Sequence, residues 1–251
     1  MNSLIIRKLR VILLCLCMAC THGCATLGST HDTRDPFEGF NRTVTSFNEF
    51  IDKILFEPII NLYKAITPDF LDRAITNFFD NLNDIVVVIN DFLQFKFKQM
   101  VADLFRFIFN STLGIAGLFD VSTGMGFDKH HEDFGQTLGV WGFGPGPYLV
   151  VPFLGPSSVR DALGRFAMGG WFNSPLSYID NDTYKYGLMS LRYVDYRADN
   201  LSAQKLIGEA ALDEYEFTKT VYLDRREDLV HDRDGEGPGD FEDFDYSIIP
   251  E

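Results

Sequence analysis

The stretch "TPDFLDRAITNFFDNLNDIVVVINDFLQ" (Thr67–Gln94) decides the fold class. Its second half holds a β-branched run, Ile85 to Ile89, which by propensity alone suits a strand. The first half argues for a helix. Leu71, Ala74, Ile75, Phe78, Phe79, Leu82, Ile85, Val86 and Ile89 recur at three- and four-residue spacing and so share one helical face. Thr67 offers an N-cap hydroxyl, and Pro68 suits the first helical position. The spacing predicts one helix running through the β-branched segment.

The same period appears on both sides. Phe40, Val44, Phe47, Ile51, Ile54 and Leu55 predict a helix that Pro58 interrupts or ends. A third helix is expected over Phe95–Phe109, one from Ser157 or Ser158, and two more over about 184–200 and 203–227. Gly114, Gly117, Gly124 and Gly126 mark a loop or broken helix. The expected class is mostly α: a bundle of amphipathic helices joined by Gly/Pro-rich loops, folded over 35–227. Residues 228–251 are acidic and Gly-rich and should form a disordered tail.

The 251 residues are 46% hydrophobic, and 24 of them are Phe. Phe has no polar handle. Either the core is large, or apolar surface faces something other than water.

Residues 1–23 read as an export signal. Arg7, Lys8 and Arg10 precede the short apolar segment "VILLCLCMAC", too short to span a bilayer as a stable helix. All four cysteines, Cys15, Cys17, Cys20 and Cys24, lie at this end, so later disulfides are excluded. A cysteine closing an apolar signal points to cleavage and acylation. Cys24, in "THGC", is the expected site, with Cys20 as the alternative, and residues 24–34 form an acylated tether. Signal removal takes away three basic residues and no acidic ones, so the formal charge falls from −14 to −17. That balance disfavours nucleic acid, which needs a basic surface, and disfavours electrostatic docking on anionic lipid.

Motifs for chemistry are weak. "GFGPGP" looks like a phosphate loop, but Pro145 and Pro147 remove backbone donors and no Lys-Ser/Thr follows. His130, His131, Glu132 and Asp133 are adjacent rather than at ligand spacing, so structural roles outweigh metal binding. Ser157 and Ser158 lack a placed base. Arg42, Arg106, Arg160 and Arg192 sit among apolar residues, and each either pairs within the fold or contacts lipid phosphate. No metal or cofactor is expected. Gly139, Gly142, Gly144, Gly146, Pro147 and Tyr148 are expected to shape a mobile Gly/Pro hairpin from Gly139 to Pro147. Bulk at Gly142 or Gly144 should then alter function without unfolding the chain.

Several segments resemble the MlaA (VacJ) lipoproteins of outer-membrane lipid asymmetry. They are "DPFEGFNR" (35–42), "NFFDNLND" with "FLQ" (77–94), "RFIFNSTLGIAGLFD" (106–120) and "EDFGQTLGVWGFGPGPYLVVPFLGPSSVRD" (132–161). "VDYRADNL" (194–201) and "DEYEFTKTVYLDRRE" (213–227) are also similar. The resemblance implies a ring-like helical protein held in one leaflet of the outer membrane, on its periplasmic side. It would remove stray phospholipids from the outer leaflet and pass them to a periplasmic carrier. It would associate with trimeric porin and would not be an enzyme. The alternative is a lipid-anchored, porin-associated scaffold without transport. A ring with a polar lumen would suit the task, because an unpaired headgroup in apolar surroundings costs several kcal/mol, roughly 2–7.

Overall fold

A computed structural model describes residues 32–167 and 175–233. The signal segment, Cys24, all but the end of the tether and the acidic residues from 234 onward lie outside them.

Helix α1, Glu38–Ile51, passes without a break through a π-helical turn, Asp52–Phe56, into α2, Glu57–Ile66. Pro58 therefore does not end the helix, as its type suggested. It sits just after the π-helical turn, where the regular i→i−4 ladder is already interrupted, so its missing N–H and its ring are accommodated without ending the helix. Helix α3, Asp69–Leu93, includes the whole β-branched run, as the spacing predicted. Its start lies one residue later than expected. Thr67 closes α2 by donating to the Tyr63 carbonyl at 2.9 Å, and Pro68 takes the N-cap place.

A tight turn through Phe95, with φ of +62°, leads to α4, Phe97–Thr112. Helices α3 and α4 form the most extensively packed helix pair. Their seam is polar. Asn81, Asp84, Asn90, Asp91 and Gln94 of α3, with Asp103, Arg106 and Asn110 of α4, are all buried. The loop after α4 fills the seam. Asn110 accepts from the amides of Val121 and Ser122, Lys129 reaches Asp84, and Thr137 donates to Asn90 at 2.8 Å.

The short α5, Phe134–Val140, follows, capped by Asp133, whose carboxylate accepts from the Gln136 amide. Two antiparallel strands come next, β1 (Tyr148–Val151) and β2 (Gly155–Ser158), paired Tyr148 to Ser158 and Val151 to Gly155. The chain then enters α6, Val159–Ala167. Ser158 is its capping residue, accepting from the Asp161 amide at 3.1 Å. Helix α7 spans Asp182–Ala210 and α8 spans Glu214–Val230. The break between them falls at 211–213, ten residues later than expected. Nothing near Leu201 stops a helix, whereas Asp213 caps α8 through the Glu216 amide.

Polarity is inverted relative to a water-soluble fold. Among the described residues the buried apolar set is small: Val44, Tyr148, Val150 and Tyr215 form one cluster, Ile60, Tyr63 and Ala198 another, and Phe79, Val87, Ala162 and Leu176 lie outside both. Buried polar and charged side chains outnumber buried apolar ones, 20 to 11. The predicted helical stripes are only partly buried: Val44 and Phe79 enter the interior, while Phe40, Phe47, Ile54, Leu55, Leu71 and Ile89 are exposed. Leu62, Phe70, Phe92 and Phe105 are exposed as well. The Phe content thus serves an external surface rather than a large core. Among the described residues, no helix is long and apolar enough to cross a membrane.

Candidate functional site

Asn41 and Asn48, two helical turns apart on one face of α1, position the β-hairpin. The buried Asn41 donates to Asp35 at 2.8 Å and to the Tyr148 carbonyl at 3.1 Å, and accepts from the Val150 amide at 2.9 Å. Asn48 donates to the Val151 carbonyl and accepts from the Phe153 amide at 2.8 Å. One amide side chain thus substitutes for a strand partner, and the other holds the turn.

The turn carries strain. Pro152 occupies its second position, and Phe153, with φ of +66°, occupies the third, where a type II turn usually has glycine. Phe153 is held on every side. Its amide meets Asn48, its carbonyl accepts from the Tyr193 hydroxyl at 3.1 Å, and its ring meets Phe47 edge-on at 5.5 Å. A non-glycine residue persists in this conformation only where its surroundings over-determine it.

Truncation of Asn41 to alanine is expected to cost about 2–3 kcal/mol, because it leaves buried partners unsatisfied. Hydrogen exchange at the Val150 amide should accelerate at least tenfold, with the α3–α4 pair unaffected. Unchanged protection would show that the hairpin holds itself.

The base of the hairpin is locked by charge. Arg226 of α8 reaches Asp133 at 2.6 and 2.9 Å and Asp161 at 3.0 and 3.1 Å. Burial pushes both carboxyls up, but Arg226 more than offsets it and holds them below the usual carboxylate range. Tyr222 also donates to Asp161 at 2.8 Å.

Helices α1, α6, α7 and α8 and the hairpin surround a cavity of about 540 Å³. Its wall is mixed. Val150, Phe153, Leu154, Tyr193, Tyr196 and Ile207 supply apolar and aromatic surface. Arg165 of α6, Arg192 and Arg197 of α7 and Arg225 of α8 supply positive charge, and Glu49, Asp52 and Glu214 supply negative charge. Burial lowers the Arg192 pKa. A second cavity of about 230 Å³ shares Glu49, Asp52, Arg197 and Glu214. Arg197 forms an ion pair with Asp52 where the two meet.

The structure separates the residues singled out by sequence. Of the six hairpin residues only Tyr148 lines the larger cavity, where it packs on Tyr215 and Tyr222. Gly139 lies inside α5, and a Cβ there would meet Val230 at 2.7 Å and Arg160 at 2.9 Å, so it serves close packing. Gly142 and Gly146 adopt φ of +91° and +68°. Gly142 and Gly144 face open space, in a loop whose Phe143 is exposed. The hairpin is formed by 148–158, after the Gly/Pro stretch rather than within it. The Pro145 and Pro147 carbonyls accept from Arg160 and Val159 and tie that stretch to α6.

Arg42, Arg106 and Arg160 pair with carboxylates of the fold. Arg42 binds Glu38, Asp213 and Glu216, Arg106 binds Asp120, and Arg160 binds Asp161. Of the four arginines singled out by sequence, Arg192 alone lines the larger cavity. The acidic and histidine run is also occupied structurally. His130 meets Asp103 at 3.0 Å, Glu132 accepts from Gln94 and Lys96, and Asp133 caps α5. Arg165, Arg225, Glu49 and Glu214 carry no local motif, and only the tertiary fold brings them to one cavity.

Residues 33–229 match the family described as "MlaA lipoprotein". The chain belongs to the MlaA lipoprotein family. It is 32% identical over 235 residues to the Escherichia coli "Intermembrane phospholipid transport system lipoprotein MlaA", covering 89% of this chain and 90% of that protein. The Haemophilus influenzae protein of the same name is 28% identical over 84% of this chain and 86% of its own length. A solved structure from "Structural basis for maintenance of bacterial outer membrane lipid asymmetry" superposes with a TM-score of 0.67 at 30% identity, covering 78% of this chain and 98% of that one. The MlaA fold therefore accounts for the helical architecture and for the scarcity of strands.

Proposed function

We propose that this MlaA-family chain is an outer-membrane lipoprotein of intermembrane phospholipid transport, and that the cavity bounded by α1, α6, α7, α8 and the hairpin is its lipid path. The observation that carries this reading is the inverted polarity. An apolar exterior suits a helical body embedded in one leaflet. A charged, partly aromatic cavity inside it gives a headgroup polar partners where lipid tails offer none.

In this reading Cys24 carries the acyl anchor, and several chains together hold firmly where one is marginal. Phospholipid that has strayed into the outer leaflet enters the cavity, leaves on the periplasmic side and passes to a soluble carrier. A trimeric porin holds the body in place. The protein works without catalysis, by supplying a path. The Gly139–Pro147 segment and the hairpin after it sit beside that path and gate it, with the strained Phe153 turn at its wall.

A strain lacking the protein should accumulate outer-leaflet phospholipid, read by surface labelling, and become sensitive to detergent with EDTA. Normal surface phospholipid with altered porin complexes would replace transport with a scaffold role. The same labelling tests the gate. Gly142→Val, strained at φ of +91° but sterically open, should shift lipid distribution while the protein remains folded. A wild-type distribution in that variant would leave the segment a static turn.

A further inference from the structure

The arginines and glutamates of the larger cavity are placed differently with respect to its smaller neighbour, which Lys53 and Glu57 also line. Arg165, Arg192 and Arg225 project from three different helices and line only the larger cavity. Glu49 of α1 and Glu214 of α8 line both cavities and mark their junction. Between the two groups, Asp52 and Arg197 neutralise each other.

Among the described residues, Arg165, Arg225, Glu49 and Glu214 take part in no ion pair. That sets them apart from the other arginines, which the fold satisfies. Arg42, Arg106, Arg160 and Arg226 all have carboxylate partners. Glu49 and Glu214 lie close enough for the charge of one to raise the pKa of the other, after burial has raised it first. Gly208 leaves room there, since a Cβ on it would come within 3.2 Å of the Glu214 carboxylate. Two unneutralised carboxylates at one end of a cavity, and two unneutralised guanidiniums towards the other, are complementary to a dipolar ligand. Arginine matches phosphate geometry, and a carboxylate pair matches an ammonium.

Building on the lipid-path reading, we propose that the cavity selects zwitterionic phospholipid headgroups, with the phosphate on Arg165, Arg192 and Arg225 and the ammonium on Glu49 and Glu214. Val150, Leu154 and Ile207 meet the apolar part of the same molecule, which makes a lipid a better fit than a free phosphoamine. An anionic headgroup finds the arginines but brings no cation to Glu49 and Glu214, and those unpaired carboxylates are the discriminating element.

The test uses the full-length acylated protein, purified in mild detergent and exposed to equimolar phosphatidylethanolamine and phosphatidylglycerol. Retained lipid is quantified by mass spectrometry. The wild type should hold the ethanolamine lipid about fivefold over the glycerol lipid, which corresponds to about 1 kcal/mol. The near-isosteric E49Q/E214Q variant should bring the ratio to about one. R165Q/R225Q should reduce retention of both lipids.

On the unaltered protein, N-acetylated phosphatidylethanolamine, which keeps the phosphate and lacks the ammonium, should lose the advantage. That result does not depend on the folding of any variant. Free phosphoethanolamine in excess should leave the retained lipid in place, and its displacement of lipid would overturn the lipid assignment. Equal retention of both lipids by the wild type would overturn the headgroup inference while leaving the lipid path intact. So would an unchanged preference in E49Q/E214Q. Failure to retain either lipid would remove both readings.

Discussion

Gly164→Ala is expected to disrupt the crossing of α5 and α6 and to cost about 3 kcal/mol or more, since overpacking against rigid neighbours is expensive. A Cβ at position 164 would lie 2.5 Å from the Gly135 nitrogen and 2.8 Å from its Cα. Both are backbone atoms, so no side chain can rotate away. Separating the helices would also pull Asp133 and Asp161 off Arg226, because one carboxylate lies at the N-cap of α5 and the other in α6. The effect should therefore exceed that of one added methyl. A thermal melt in detergent should show a loss of several degrees. Gly144→Ala is the control. Nothing lies within 4 Å of its Cβ, its φ is not positive, and its melting temperature should equal that of the wild type. If both variants melt alike, the tight crossing is not what holds α5 to α6.

Asp91→Asn should act in the opposite direction. Asp91 is fully buried on α3, and as a carboxylate it has no donor for either oxygen. Burial first, and then the neighbouring Asp103 and Glu132, together raise its pKa to about 8 against the opposing Lys96. Protonated, it can donate to Asp103, which is also buried and meets His130 at 3.0 Å. Asp103 in turn raises the pKa of His130.

The direction of the pH dependence follows. Between about pH 4, the usual value for an unfolded aspartate, and about pH 8, the native state holds a proton that the unfolded chain has lost. Stability from this group is thus greatest in acid and is lost as pH rises through about 8. Asparagine keeps the donor without the ionisation. It should raise stability at pH 9 by at least ~2 kcal/mol, or roughly 4–8 °C, and flatten the pH dependence. A wild-type melting temperature that does not fall between pH 6 and pH 9 would refute this.

The helices were legible in sequence because their spacing is a local property. The direction their faces point is not local. Leu71 to Ile89 recur correctly for a helix, yet periodicity is silent on which face meets the interior. A second stripe held the answer. Asn77, Asn81, Asp84, Asp91 and Gln94 also recur at helical spacing within α3, as do Asp103, Arg106 and Asn110 within α4. Asn and Asp are poor residues for helix interiors, so their repetition there marks a seam filled by hydrogen bonds.

The hairpin was misplaced for a physical reason. Its turn uses Pro152 and Phe153, and Phe153 is held in the left-handed region by Asn48 and Tyr193 rather than by its own preference. No turn signature announces it. The cavity charges were illegible for a similar reason. Arg165, Arg192 and Arg225 are far apart in the chain and meet only because α6, α7 and α8 surround one space.

Exposed Phe47, Phe70, Phe92 and Phe105 also govern how the molecule can exist before it reaches lipid. In bare water such a belt associates with copies of itself, because every contact removes apolar area from solvent. The folded body is thus intrinsically insoluble as a free particle. If the body is embedded in a leaflet as proposed above, its journey from synthesis to membrane has to be escorted, with the belt shielded along the whole route. For this protein, solubility is a property lent by whatever is holding it.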